Sequence, residues 1–248
     1  MIELLNNCLH GSEIATYLVN DGVLGKCIVK ASTTPSGIKN LYNELSGWHW
    51  YQKIRYPQKK MDVCNIIQKK DSYLKISIEF IEGFKDDCNK GLEENAGVIT
   101  KVIDHYCKVW PYYSNNTSPI HGDLSIDNII YNPDGIHIID WEHFSKTGGF
   151  WGFDAIYIIF ETLWFSLRGK RLPTENEMNI IRKNMQILNT DTKLDSKLLK
   201  HPLRSIIDFI VENEKIWGTQ LLKYPDKFSV LKFSDEQILY IEPLLRFI

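Results

Sequence analysis

The feature that most constrains this chain is a change in the spacing of its apolar residues near residue 84. Before it, short runs read at period two. Ile14 to Val19 and Lys26 to Ala31 form one pair, parted by the turn signal Asn20-Asp21-Gly22. Met61 to Gln68 and Tyr73 to Ile81 form another, parted by Lys69-Lys70-Asp71-Ser72. Between the pairs, Leu41, Leu45, Trp48 and Tyr51 recur at helical spacing, which predicts a helix over residues 37–53. Beyond Gly83 the texture is mostly helical. Leu92 to Trp110 and Phe153 to Leu167 read as helices, and so does Thr174 to Leu188, which opens on the capping box Thr174/Glu177. Two or three more helices follow, the last from Ser234 to Phe247. Pro119 to Ile139 is the exception: loop, short strand, turn at Asn132-Pro133-Asp134-Gly135, short strand. The expected fold class is α+β in two lobes. A mainly antiparallel sheet with one helix would span residues 1–82 and a mostly helical part residues 83–248, with a hinge near Gly83.

Composition narrows the function classes. A chain of 248 residues with 44% hydrophobic content can bury a sizeable core and is not disordered. A net charge of −2 argues against a general nucleic-acid binder. The five cysteines form no Cys-x-x-Cys pair, which points away from a disulfide framework or a zinc site and towards a reducing compartment. The N-terminus lacks the layout of a signal peptide. The most apolar run, Ala155 to Leu167, contains Glu161 and is too short to span a bilayer. The expectation is a cytoplasmic protein without stable membrane insertion; its oligomeric state is not legible.

The chemistry concentrates in His121-Gly122-Asp123-Leu124-Ser125-Ile126-Asp127-Asn128, followed twelve residues after Asn128 by Asp140 in Ile138-Ile139-Asp140-Trp141-Glu142. These segments resemble the catalytic and metal-binding loops of the protein-kinase-like superfamily. They resemble in particular its aminoglycoside phosphotransferase and choline kinase branch, where His-Gly-Asp stands for the protein-kinase His-Arg-Asp. The resemblance runs in order from residue 11 to about 165. It implies a bilobal kinase-like fold and an ATP- and Mg²⁺-dependent phosphotransferase with a hydroxyl acceptor.

Phosphoryl transfer needs an in-line oxygen nucleophile and metal ions on the phosphate oxygens. Asp123 would accept a hydrogen bond from the acceptor hydroxyl. Asn128 and Asp140 would each offer oxygen to Mg²⁺, a hard cation. His121 would be scaffold for the loop. Lys30, in Ile28-Val29-Lys30-Ala31, resembles the phosphate-holding lysine of the kinase Val-Ala-Ile-Lys strand, and Glu44 on the following helix would pair with it. An ordinary strand lysine and a surface glutamate are the alternative. Gly11 and Ser12, in His10-Gly11-Ser12-Glu13, would cover the phosphates, although the glycine-rich pattern is reduced to Gly11. In Ile78-Glu79-Phe80-Ile81, the carbonyl of Glu79 and the amide of Ile81 would hold adenine; the alternative is a plain strand end. Asp154 matches an aspartate that braces the catalytic loop, and it also reads as an N-cap. Ser125 departs from the His or Lys usual at its position, which leaves the acceptor's identity open.

Fourteen steps separate Asp140 from Asp154, too few for the activation segment of a protein kinase. A small acceptor is therefore favoured: a sugar, aminoglycoside, amino alcohol or glycan intermediate. A protein kinase or effector acting on a protein, and a nucleotide-binding pseudokinase, are the alternatives. Residues 84–248 carry a mild acidic excess, which suits a cationic acceptor, whereas Arg168 to Arg171 form a local basic patch that suits an anionic one or is a solvated helix end.

Overall fold

The computed structural model describes residues 2–6, 13–21, 25–55, 57, 64–87, 89–113, 118–167, 171–190, 194, 196–217 and 233–245. The chain folds as two compact units. The first comprises Met1–Gly83 with Ile139–Lys146, and the second Phe84–Ile138 with Thr147–Ile248.

The first unit is a five-stranded antiparallel sheet in the order β1 (Ile2–Asn6), β2 (Ala15–Asp21), β3 (Gly25–Ser32), β5 (Tyr73–Glu79), β4 (Cys64–Lys70). Helix α1 (Pro35–Arg55) packs on it. Proline at the first helical position costs no hydrogen bond there, since that N–H has no partner within the helix. The buried stripe of α1 includes Leu41, Leu45, Trp48 and Tyr51, and it packs on the sheet face that carries Lys30 with the buried Leu74, Ile76 and Ile78 of β5. β1 was not anticipated from the sequence. Its Ile2, Leu4 and Leu5 are exposed, so it carries no inward apolar face that could have marked it as a strand.

The second unit is built on α2 (Leu92–Val109), α3 (Phe153–Leu167), α4 (Glu175–Asn189), α5 (Ser196–Lys200), α6 (Pro202–Trp217) and α7 (Asp235–Leu245). α3 is apolar nearly all round and is buried along most of its length, in contact with α2, α4 and α6. That is what a uniformly hydrophobic helix requires in water. α4 starts on the expected capping box: Thr174 Oγ1 accepts from Glu177 N–H, and the Glu177 carboxylate accepts from Thr174 N–H. The strands β6 (Ser118–Ile120) and β9 (Ser145–Gly149) pair, as do β7 (Ile129–Asn132) and β8 (Gly135–Ile138). Among the described residues, no helix is long and apolar enough to cross a membrane.

Candidate active site

In the first unit the site centres on Lys30. β3 places its Nζ 2.5 Å from Asp140 Oδ1 and 3.1 Å from Glu44 Oε2. Glu44 is buried, and its other oxygen accepts from Trp48 Nε1 at 2.9 Å, one helical turn further along α1. Burial by itself would lower the Lys30 pKa. Asp140 first and Glu44 second outweigh it and hold the ammonium above lysine's ordinary value. Burial pushes the Glu44 carboxyl up to about 7, against the pull of Lys30.

Asp140 occupies a left-handed backbone conformation, φ 65°, the only positive φ at a non-glycine position among the described residues. Aspartate tolerates this region better than most residues, and such outliers cluster at functional sites. The turn after it is fastened to α1. Asn43 Nδ2 donates to Glu142 O at 3.1 Å, and Trp141 sits over Gly47 between Trp50, Tyr51 and Phe144.

In the second unit the His-Gly-Asp loop is braced from α3. Asp154 lies in the first turn of α3, and its two carboxylate oxygens accept from His121 N–H (2.8 Å) and Gly122 N–H (2.9 Å). Its side chain therefore serves the loop and is not the cap of its own helix. Burial pushes this carboxyl up to about 7, with the two amides pulling it down. Gly122 has φ 87°, a region that L side chains rarely adopt, which accounts for glycine between His121 and Asp123. His121 is fully buried, and its Nδ1 accepts from Asp123 N–H at 3.3 Å. The loop closes as a 3₁₀ turn, Ile126–Asn128, in which Asn128 Nδ2 donates to Asp123 O at 2.8 Å. That bond commits the amide nitrogen to the loop and sets the direction of the amide oxygen.

The remaining expected residues fall in two groups. Gly11 and Ser12 lie outside the described residues, as do positions 168–170 of the basic patch. Arg171 is described, and its guanidinium forms a two-pronged pair with Glu177 at the start of α4. Glu79 ends β5 opposite Cys27. Phe80 N–H donates to Lys26 O, so Phe80–Lys26 is a hydrogen-bonded pair and Glu79–Cys27 is not. The Glu79 carbonyl consequently points away from β3. Ile81 follows, clear of the strand. Sequence reasoning assigned no site role to Trp48, Asn43 or Tyr157: Trp48 braces Glu44 within α1, and Asn43 and Tyr157 reach segments distant in sequence. Only their spacing, four residues from Glu44 for Trp48 and three from Asp154 for Tyr157, could have drawn notice.

Each unit carries one oxygen donor of the kind a hard divalent ion takes, the Asp140 carboxylate in the first and the Asn128 side-chain amide oxygen in the second. Among the described residues there is no cluster of three or more His, Cys, Asp or Glu side chains able to cage a metal. Mg²⁺ needs no such cage, since it takes one or two protein oxygens beside phosphate and water.

An antiparallel sheet with one packed helix, joined to a helical unit that carries a braced His-Gly-Asp loop, is the protein-kinase-like fold. A solved structure agrees with this. Amicoumacin kinase hAmiN, in complex with AMP-PNP, Ca2+ and Ami, superposes with a TM-score of 0.54 at 12% identity, covering 99% of this chain and 86% of that one. At that identity the likeness speaks for the fold alone. ADP-bound aminoglycoside phosphotransferase APH(2'')-Ib (TM-score 0.40, 11% identity, 84% and 91% of the two chains) is also similar. So is APH(2'')-IIa in its streptomycin–ATP ternary complex (TM-score 0.44, 10% identity, 90% and 90%). No protein-family model and no curated protein sequence matches the chain.

Proposed function

We propose that the protein is a small-molecule kinase that transfers the γ-phosphate of ATP to a hydroxyl of a small acceptor. The observation that carries this reading is the Lys30 ammonium held between Asp140 and Glu44. A buried lysine tied to two carboxylates from separate segments is a cation set in place for phosphate.

In this reading Lys30 binds the α- and β-phosphates, and Gly11 and Ser12 cover them. The Glu79 carbonyl and the Ile81 amide hold the adenine. Asn128 and Asp140 would hold the Mg²⁺ that comes with the nucleotide, which when bound would supply positive charge against the phosphates. Asp123 orients the acceptor hydroxyl. As the new O–P bond forms and the bond from Pγ to the ADP oxygen breaks, the hydroxyl proton passes to Asp123. Positioning and charge supply most of the rate.

A small acceptor is favoured over a protein. The stretch from Asp140 to Asp154 holds only a turn, β9 and the start of α3, which leaves no length for a peptide platform. The acceptors proposed are sugars, aminoglycosides, amino alcohols or glycan intermediates, met in the cytoplasm and without nucleic acid. The test is ATP consumption with Mg²⁺ against a panel of these alcohols and a panel of proteins. Turnover confined to proteins would overturn the reading, and so would none with either panel.

A further inference from the structure

We infer that Tyr157 is a positioning residue for the transfer, its phenol O–H fixing the rotation of the Asp123 carboxylate; the inference rests on the kinase reading above. Tyr157 lies on α3 three residues after Asp154, so both project from one face of the helix. Asp154 holds the loop backbone, and Tyr157 Oη reaches the loop's reactive side chain, 3.5 Å from Asp123 Oδ1. This is a long hydrogen bond, of the kind that tightens when substrate binds.

The tyrosine is built to stay where it is. It is 2% exposed, and its ring stacks on Phe153 at 6.0 Å between centroids, with Phe153 wedged in turn against Phe209 at 4.5 Å. Burial, then Glu161, then Asp123 hold the phenol well above its ordinary value, so it remains an O–H donor wherever the enzyme works. The target needs such a donor. Rotation of a carboxylate about its last torsion is soft, and one donor on Oδ1 settles which way the second oxygen points.

The test is a double-mutant cycle read with water as the acceptor: release of labelled phosphate from Mg·ATP by wild type, Tyr157→Phe, Asp123→Ala and the double variant. Calorimetric Mg·ATP affinity and melting temperature are measured alongside. Tyr157→Phe should lower the rate about three- to tenfold, the worth of one hydrogen bond, with nucleotide affinity unchanged. In the Asp123→Ala background it should cost nothing more, because there is no carboxylate left to orient. Tyr157→Leu should lower both melting temperature and rate, and Tyr157→Phe should restore the first but not the second. Equal fold losses in the two backgrounds, or a wild-type rate for Tyr157→Phe, would reduce Tyr157 to core packing and overturn the inference alone. An Asp123→Ala rate equal to wild type would instead sink the kinase reading, and this inference with it.

Discussion

Trp141 lies so close to Gly47 of α1 that a Cβ added to Gly47 would meet the Trp141 Cβ at 2.5 Å and two ring carbons at 2.9 Å. Alanine is the better helix former by about 1 kcal/mol, so Gly47→Ala poses two effects against each other. The clash should win. Trp141 is boxed in by Trp50, Tyr51 and Phe144 and has no direction of retreat, and overpacking of this kind costs about 1–3 kcal/mol. Moving Trp141 also moves its neighbour Asp140. Gly47→Ala should therefore lower stability in urea and weaken Mg·ATP binding together. A variant of raised stability and unchanged affinity would show that the contact is slack.

Asp140→Ala removes one of the two carboxylates on Lys30 and the proposed carboxylate for Mg²⁺, while Glu44 remains 3.1 Å from Lys30. Turnover should be lost and Mg·ATP affinity should fall. Calorimetry is the check, and unchanged affinity would mean that Asp140 is not a metal ligand.

Asp123→Asn keeps the shape of the side chain and removes its charge. Turnover should fall by at least about a hundredfold with ATP binding nearly intact. Asp127 is the control: it sits beside Asn128, is exposed, and engages the fold through its backbone carbonyl, which accepts from Lys85 Nζ. Asp127→Asn should cost far less. Equal losses would point to a failing loop and leave Asp123 without support as the base.

The Asp154 carboxyl is held at about 7, above the ordinary 3.8, so between those values the folded chain binds more protons there than the unfolded chain. Its contribution to stability is full below the ordinary 3.8, declines as pH rises from there to about 7, and is flat above. The slope is at most about 1.4 kcal/mol per pH unit for one group. Asp154→Asn removes this term. It also offers one acceptor oxygen to two amides, those of His121 and Gly122, so it should be less stable than wild type at pH 5 by a margin that narrows by pH 7.5. Unfolding curves at both values decide the matter, and a margin that widens with pH would contradict the assignment.

Elements with a strong local code could be read directly. The β2–β3 hairpin follows from its turn residues, α1 from its four apolar positions, and α4 from Thr174 and Glu177. β1 and β9 could not be read. Ser145-Lys146-Thr147-Gly148-Gly149 has no alternation and little strand preference, and it is a strand because β6 offers it a partner. The site divides in the same way. The loop residues stand close together in sequence and are visible as a motif. Asn43 on Glu142 and Tyr157 on Asp123 depend on contacts formed only after the chain has folded, and Trp48 on Glu44 reads in sequence as ordinary helical spacing. The dual reading of Asp154 was settled by geometry, since its oxygens turn to the loop and not to the helix it begins.

Because Ile139–Lys146 belongs to the first unit, that unit is not a continuous stretch of chain. A ribosome that has released residues 1–83 has made the whole five-stranded sheet and α1, but not the indole that covers Gly47 or the carboxylate that shares Lys30 with Glu44. The first unit must wait for more than fifty further residues, most of them destined for its neighbour, before its own interior is complete. A fragment cut at residue 83 would expose aromatic surface on α1 and would be a poor candidate for a free-standing nucleotide-binding module.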